Sequence, residues 1–454
     1  MNLCIKKRFS KSPWQTAPYT YHEAMVSCDC HKWEETMEKE LRSLRDMGVW
    51  ESASNFNLKQ ALGCHWVYTV KKNQQGNVTC YKAELVVQGH QQIKELNFDE
   101  RFALTLTFNS LQFLLTIVEA LGWEIQMFDV TTAYLHSNLK HMIYVRVPQG
   151  ATDMPKVLYG LKQAGRCWWN HLQNVLKKFD FQSNPEDPST YTYNRADRKA
   201  ILWVHIDDGV IGASSEQHCW HNNKKTDGGF ELCQLALIRK LCSLDASNIT
   251  ASQPLPSMDL VSGKARTIDK DYLSWIGMIL YVAQATSPDI MYAVNFLARF
   301  SMNTTDWHWM ALDRLINYVQ GTSTKSSILR PSHKQDVLNV FVDANWGGRG
   351  SRSQHGYVGL LWGAPIMWNS KKHTCISLST CQAEYIAMLY ASKECLWIGQ
   401  GLIGIAGHFT PTLLSDNKAA IQIAGDSGSR KNSRQIRWEF HLKNELLMTN
   451  QIKI

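Results

Sequence analysis

Two neighbouring carboxylates near the middle of the chain are the residues best suited to do chemistry. Asp207 and Asp208 interrupt the stretch 200–213, with one apolar run before them and a second after them. This pattern predicts a β-hairpin with the acids at its turn. Adjacent carboxylates repel each other, and Mg²⁺, which prefers hard oxygen ligands, neutralises such a pair. The same pair also occurs as ordinary turn chemistry, so other acids must converge on it.

A third acid precedes this pair. Residues 123–130 read as a strand that carries Asp129 near its end, and the aromatic Tyr134 follows five residues later. Carboxylates at the ends of neighbouring strands can hold two Mg²⁺ ions roughly 4 Å apart for in-line phosphoryl transfer. Asp129, Asp207 and Asp208 therefore form a first candidate acid set.

A second acid set lies towards the end of the chain. Asp343 falls in a predicted strand, Glu384 at the start of a predicted helix, and Asp416 at the end of a later strand. The strands and helices there follow the order of a mixed α/β domain of about a hundred residues. Taken singly, each of these acids is more commonly a surface residue.

Hydrophobic periodicity predicts the elements that would position the acids. Helices are expected over 31–47, from an N-cap at Asn109 or Ser110, from 158 through Leu176, and in two runs within 271–322. Residues 63–70 and 78–87 predict a hairpin. The last unit is predicted as strands 337–344, 356–362 and 366–369, helix 381–402, strand 412–415 and helix 417–424.

Composition places the chain among globular proteins. An apolar content of 44% and a charged content of 19% over 454 residues allow two or three domains with sizeable cores. The net charge of +8 permits a polyanionic partner without demanding one. The 12 cysteines include no Cys-x-x-Cys pair, which favours a reduced, intracellular protein over a zinc-binding one. No signal peptide or membrane span is expected.

Further short motifs run along nearly the whole chain in one order. They are Thr20–Ala24 with Trp33, Gly63–Val67, Tyr81–Gly89, Phe98–Glu100, Phe128–Leu135, Ile143–Val145 with Pro148, Leu158–Ala164, Asp187–Ser189, His205–Asp208, Ser287–Val294, Tyr318–Gly321, Ser370–Lys372, Leu378–Tyr385 and Ser415–Asn417. In this order they resemble the Pol polyprotein of Ty1/copia-type retrotransposons, in which a reverse transcriptase precedes a ribonuclease H.

The resemblance implies an α+β fold with several domains. A fingers–palm reverse transcriptase is expected first, then a connecting helical segment, then a ribonuclease H-like α/β domain. The expected bounds are 1–60 for a lead-in segment, 61–245 for fingers and palm with a shortened thumb region, 246–335 for the connection and 336–454 for the last domain.

The resemblance also implies roles for residues of the polymerase. Asp129, Asp207 and Asp208 would bind two Mg²⁺ ions, one activating the primer 3′-hydroxyl and the other holding the incoming triphosphate. Lys82 would meet phosphate, and Tyr134 would stack under the sugar and exclude a 2′-hydroxyl.

Gln163 would contact the nucleotide, although without the resemblance it reads equally well as a polar residue at a helix start. In the last domain Asp343, Glu384 and Asp416 match the ribonuclease H acids, which with two Mg²⁺ ions cut the RNA strand of an RNA–DNA hybrid. The expected partners are an RNA template, the hybrid and dNTPs, with no membrane. The expected location is a cytoplasmic particle or the nucleus.

Several departures from the family fall on working positions. His205 replaces a tyrosine, and on the fingers hairpin Glu84 replaces an arginine and Gln88 a lysine. An acid there would repel the triphosphate that the hairpin should attract. Near the C-terminus Arg437 stands at the position of the last metal-binding carboxylate, with Glu439 as an alternative ligand.

Other departures are milder or concern length. Gly165 replaces a proline, and Asn345 and Gln382 replace acids in the last domain. The sequence is also short between 150 and 158 and between 214 and 234, which would remove strands from the palm or its neighbour.

Three functions are consistent with these residues. The first is a reverse transcriptase with ribonuclease H, impaired in polymerisation. The second is a catalytically silent relic that binds nucleic acid through a basic groove, with affinity falling as salt rises. The third is a ribonuclease H alone.

Overall fold

The structure is a computed structural model. It describes residues 17–46, 61–72, 77–93, 108–137, 143–146, 149–150, 161–184, 187–195, 198–214, 229–244, 251–255, 270–332, 338–347, 351–403, 410–425 and 452–453. The chain forms two compact units. The first contains Met1–Thr105, Asp129–Phe179 and Ile206–Asp208, and the second contains Leu106–Phe128, Asp180–His205 and Gly209–Ile454.

The first unit packs helices on a two-stranded hairpin. Helices α1 (Tyr21–Val26) and α2 (Cys30–Asp46) precede strands β1 (Cys64–Lys72) and β2 (Val78–Val87), which pair antiparallel. Helix α2 buries an apolar stripe against β2 because its apolar residues recur every three or four positions. The buried residues of that stripe are Trp33, Met37, Leu41 and Leu44.

The same unit also contains helix α4 (Ala164–Lys178) and two 3₁₀ turns, Gly89–Gln91 and Ala133–His136. Leu161 and Ala164 at the start of α4 join the core formed by α2 and the hairpin. The predicted helix from residue 158 is therefore confirmed from Ala164 onwards, while 151–160 lie outside the described residues.

Apart from Asp129 and Asp208 at two strand ends, the second unit holds a five-stranded sheet in the order β3-β7-β6-β5-β4. Helix α3 (Phe108–Leu121) packs near its centre, against β6. The strands are β3 (Glu124–Asp129), β4 (Gln182–Ser183), β5 (Thr190–Arg195), β6 (Arg198–His205) and β7 (Asp208–Ala213). Two residues connect β6 to β7, so the predicted acidic hairpin is confirmed.

A group of helices forms a second apolar core in this unit. It consists of α5 (Leu235–Leu244), α6 (Lys270–Ala285), a 3₁₀ turn (Pro288–Ile290), α7 (Met291–Ala298) and α8 (Asp306–Gly321). A short antiparallel ribbon, β8 (Phe230–Leu232) with β9 (Ser327–Leu329), packs against α3. The helical expectation for 271–322 is confirmed.

The last part of the chain forms a four-stranded sheet in the order β12-β11-β10-β13. Strands β10 (Leu338–Asn345), β11 (Gln354–Leu361) and β12 (Ala364–Lys372) are antiparallel, whereas β13 (Thr412–Leu414) runs parallel to β10. Helix α9 (Thr380–Ile403) packs on β10 and β11, and α10 (Lys418–Gly425) packs on α9. All six predicted elements of this part are confirmed.

Alternation along β10 explains how this sheet is covered on one side. Leu338, Val340 and Val342 are buried, whereas Phe341 and Asp343 are exposed. Because successive side chains of a strand point to opposite faces, the apolar face lies in the core with α9 and the acid lies on the other.

The α+β class is confirmed, and some local expectations need correction. Helix α3 begins at Phe108, so neither Asn109 nor Ser110 is its N-cap. The buried Ser110 hydroxyl instead donates to Asp187, whose carboxylate also accepts from Ser189 and Thr190. The Ser110 hydroxyl therefore bonds a distant side chain and does not cap the helix. The fingers–palm arrangement and the domain bounds stay predictions.

The sequence patterns missed four strands. Strands β4 and β5 are short and lack clear alternation, and β8 and β9 pair with each other although they lie far apart along the chain. Within the described residues, no helix is both long and apolar enough to cross a bilayer.

Substituting Gly209 by alanine should destabilise the protein. A Cβ built at Gly209 would come within 2.1 Å of Phe128 Cζ, so the ring next to Asp129 would have to move. We expect a loss of about 1–3 kcal/mol by urea denaturation. Gly277→Ala in α6 is the control, because nothing lies within 4 Å of its Cβ and alanine favours a helix by about 1 kcal/mol. Equal effects of the two substitutions would contradict the proposed crowding.

Candidate active sites

Three carboxylates from the second acid set meet in the last domain. Oxygens of Asp343, Glu384 and Asp416 all lie within 4.8 Å of one another. They come from β10, from α9 and from the residues just after β13. Across the described parts of the chain, this is the one group of three acidic, histidine or cysteine side chains gathered closely enough to hold a metal ion.

Strand pairing explains why the two aspartates meet. Strands β10 and β13 are parallel, with Phe341 opposite Leu414. Asp343 and Asp416 each follow two residues later, so both lie at the same end of the sheet. Asn417 fixes the chain there, because its Oδ1 accepts a hydrogen bond from the N–H of Ala420 at 2.9 Å and caps α10.

A capped helix start brings Glu384 to the same place. The hydroxyl of Ser379 accepts the N–H of Gln382 at 3.2 Å, and Gln382 Oε1 accepts the N–H of Leu378 at 2.7 Å. The two bonds satisfy N–H groups at the start of α9. Gln382, which replaces an acid of the family, thus accepts a backbone hydrogen bond through its amide oxygen.

Glu384 is the buried member of the trio, with 5% of its surface exposed. Its Oε1 accepts the N–H of Ala344 at 3.1 Å, while its Oε2 is buried and receives no hydrogen bond from the residues that the structure describes. Burial raises the pKa of Glu384 to about 7, and the charges of Asp343 and Asp416 act in the same direction. A hard divalent cation fits this set, because it would pair the orphaned oxygen and neutralise three carboxylates.

An open cleft leads to two of these acids. Its volume is about 530 Å³, and its lining includes Asp343, Asp416, Gly356 and the aromatic residues Tyr292 and Phe341. A ligand can therefore reach the exposed aspartates from the sheet face opposite α9. Of the departures in this domain, Asn345 lies exposed at the end of β10, and Arg437 and Glu439 lie outside the described residues.

The first acid set stands on adjacent strands. Asp129 ends β3, Asp208 begins β7, and these strands neighbour each other in the sheet. The N–H of Val130 donates to the Asp207 carbonyl at 2.7 Å. All three acids are exposed, but their carboxylates are not gathered as closely as those of the other trio.

The turn that carries Asp207 has an unusual backbone. Ile206 has a φ of 56°, a left-handed conformation that β-branched residues rarely adopt. The indole N–H of Trp168 in α4 donates to the Ile206 carbonyl and holds the turn in place. Sequence reasoning missed this role, because Trp168 reads as an ordinary apolar residue of an amphipathic helix.

Lys82 lies near the acids but already has a partner. Its Nζ lies 2.6 Å from Glu84 Oε1, and half of its side-chain surface is exposed. The hydrogen bond to Glu84 raises the pKa of Lys82, and the charges of Glu40 and Asp207 contribute to the same effect.

Tyr134 and Gln163 take different positions. Tyr134 is half-buried, and burial together with the charge of Asp207 raises its pKa. Gln163 is buried, and its Oε1 accepts a hydrogen bond from Gln92 Nε2 at 2.9 Å. It stands at the N-cap position of α4 without a capping bond of its own. The functional roles predicted for these residues stay predictions.

Comparison with known proteins adds an independent finding. A family model for reverse transcriptase (RNA-dependent DNA polymerase) matches residues 47–272. The chain is 28% identical over 435 residues to the Pol polyprotein of transposon RE1 from Arabidopsis thaliana. This alignment covers 87% of this chain and 30% of that protein. It is 26% identical over 486 residues to the Pol polyprotein of transposon TNT 1-94 from Nicotiana tabacum, and this alignment covers 96% of this chain and 36% of that protein.

The chain thus spans about a third of the length of these curated relatives. Among solved structures, the N-terminal ribonuclease H domain of a Mycobacterium tuberculosis protein, solved as a fusion with maltose-binding protein, aligns at 12% identity with a TM-score of 0.18. That alignment covers 26% of this chain and 78% of that one. The sequence matches decide the family: the chain is a relative of the Pol polyproteins of Ty1/copia-type retrotransposons, and its residues 47–272 belong to the reverse transcriptase family.

Proposed function

We propose that the chain is an RNA-directed DNA polymerase joined to a ribonuclease H, that both work by two-metal phosphoryl transfer, and that this copy is impaired in polymerisation. Membership of the reverse transcriptase family supports the polymerase. The observation that carries the nuclease is the gathering of Asp343, Glu384 and Asp416 within 4.8 Å. The substrates are then an RNA template, dNTPs and an RNA–DNA hybrid.

In the nuclease, the acid trio would hold divalent cations, which supply an activated water and neutralise the charge that develops on the phosphate. The protein itself positions the carboxylates that would bind these cations. The Ala344 N–H fixes one oxygen of Glu384 and leaves the buried Oε2 for a cation. Asp343 and Asp416 remain accessible from the cleft, where the scissile phosphate would lie.

In the polymerase, Asp129, Asp207 and Asp208 would hold the metals, while Tyr134 would face the sugar. The Trp168 bond to Ile206 and the Val130 bond to Asp207 orient the acid-bearing turn. Together these contacts leave little freedom in the backbone that presents the acids.

Three features support impaired polymerisation. Lys82 is engaged by Glu84, Gln163 is engaged by Gln92, and the carboxylates of the first set are not gathered as the second set is. The same contrast between the two acid sets favours the second candidate function, a ribonuclease H without polymerase activity. A catalytically silent relic would show salt-dependent binding of the hybrid and no cleavage.

Cleavage of an RNA–DNA hybrid should depend on one acid set alone. With Mg²⁺, we expect the parent to cut the RNA strand, and Asp416→Asn to lower the rate by more than about 100-fold, because the metal site loses a charged ligand. Asp207→Asn is the matched control and should retain cleavage, measured with a labelled hybrid. Loss of cleavage in both variants, or in neither, would contradict the assignment. EDTA should abolish cleavage and added Mg²⁺ restore it.

Primer extension should be weak and should depend on the other acid set. On an RNA template with dNTPs and Mg²⁺, we expect slow extension by the parent and none by the double variant Asp207→Asn/Asp208→Asn, while Asp416→Asn extends as the parent does. Robust synthesis by the parent would refute the impairment. Absence of extension by a folded parent that still cleaves hybrid would leave the ribonuclease function alone.

Stability of the metal-free protein should depend on pH through Glu384. Its pKa is raised from 4.5 to about 7, so the folded state binds the proton more tightly than the unfolded chain does. The resulting stabilisation is full below about pH 4.5 and is lost as pH rises through about 7.

In EDTA at pH 8, Glu384→Gln should therefore be more stable than the parent, by on the order of 3 kcal/mol. The difference should shrink at pH 5, where the parent is protonated. Thermal unfolding at the two pH values measures this. A difference that does not change with pH would show that the glutamate carries no raised pKa.

A further inference from the structure

On the hairpin of the first unit, Lys82, the predicted phosphate-binding residue, forms an ion pair with Glu84. Lys82 and Glu84 lie two residues apart on β2, so their side chains share one face of the strand. The ammonium Nζ and the carboxylate Oε1 are 2.6 Å apart. The contact uses one of the three N–H donors of the lysine and neutralises its charge.

The surroundings of this pair are acidic. Helix α2 packs on β2 and contributes Glu40, one of whose carboxylate oxygens is buried and receives no hydrogen bond from a described residue. Asp207 of the acidic turn also acts electrostatically on Lys82. One ammonium therefore stands among three carboxylates, two of which are not catalytic candidates. The local charge opposes an approaching anion.

We propose that Glu84 sets the affinity of the polymerase site for incoming nucleotide, because it holds Lys82 in an ion pair that the triphosphate has to displace. This inference rests on the proposed polymerase function. Phosphate oxygens and the glutamate carboxylate compete for the same ammonium, and the glutamate also repels the phosphate directly. Glu84 is thus an affinity-determining residue that never needs to touch the reacting atoms.

The contact is weak enough to act as a competitor. The side chains of Lys82 and Glu84 are 50% and 31% exposed, and ion pairs so close to solvent are readily exchanged and screened by salt. Glu84 should therefore lower the affinity by a modest factor and not abolish binding. The effect should also diminish as ionic strength rises.

Nucleotide binding to the full chain tests the inference directly. The probe is dTTP with Mg²⁺, added to protein bound to an RNA template with a dideoxy-terminated primer, so that binding is measured without turnover. We expect Glu84→Gln to lower the Kd for dTTP about fivefold at 50 mM salt and less than twofold at 500 mM. The control is Glu38→Gln, which removes the same charge from the exposed pair with Arg45 on α2 and should leave the Kd unchanged.

A double variant separates competition from simple charge removal. In the double variant Glu84→Gln/Lys82→Gln the gain should vanish, because no ammonium remains to be released. If Glu84→Gln and the parent bind dTTP equally while the parent extends primers, the ion pair does not control affinity and the inference is wrong, although the polymerase stands. If no folded variant binds dTTP, both the inference and the polymerase proposal fail. An equal gain with and without Lys82 would also overturn the competition.

Discussion

Repulsion between like charges is the constraint around which both acid sets are built. In the last domain three carboxylates are held within 4.8 Å, and one of them, Glu384, is buried. Elements of the sheet and a helix hold these carboxylates together. A parallel strand pair brings in two acids, and a capped helix brings in the third. Burial raises the pKa of Glu384, and the charges of Asp343 and Asp416 add to the effect.

The first acid set meets the same constraint in another way. Its carboxylates are exposed to solvent, which screens them, and the backbone of the turn is fixed by bonds to its carbonyls. The neighbouring Lys82, which could have balanced the charge of Asp207, is directed to Glu84 instead. The two sets therefore differ in burial and spacing, although the sequence retains all three acids of each.

Much of the site geometry follows from sequence, for a physical reason. Strand ends and helix starts are signalled by local periodicity and capping residues, so the convergence of Asp343, Glu384 and Asp416 could be expected. Contacts between distant segments leave no such signal. The bond from Trp168 to Ile206, the pairing of Gln92 with Gln163 and the ribbon of β8 with β9 each join residues that local patterns treat separately. Asp187, which looked like part of a functional motif, proves to be a hydrogen-bond acceptor that ties α3 to β5.

The left-handed backbone at Ile206 affects which substitutions the acidic turn would accept if selection for activity were lost. A β-branched residue in this region costs of order 1–3 kcal/mol and persists only where its surroundings enforce it. Glycine or asparagine at this position would relieve that cost but allow the acidic turn to adopt other conformations. In a lineage no longer selected for activity, relaxation of this turn would be favoured by folding alone. The backbone at residue 206 therefore stays left-handed only while the contacts around it, such as the Trp168 hydrogen bond, hold it there.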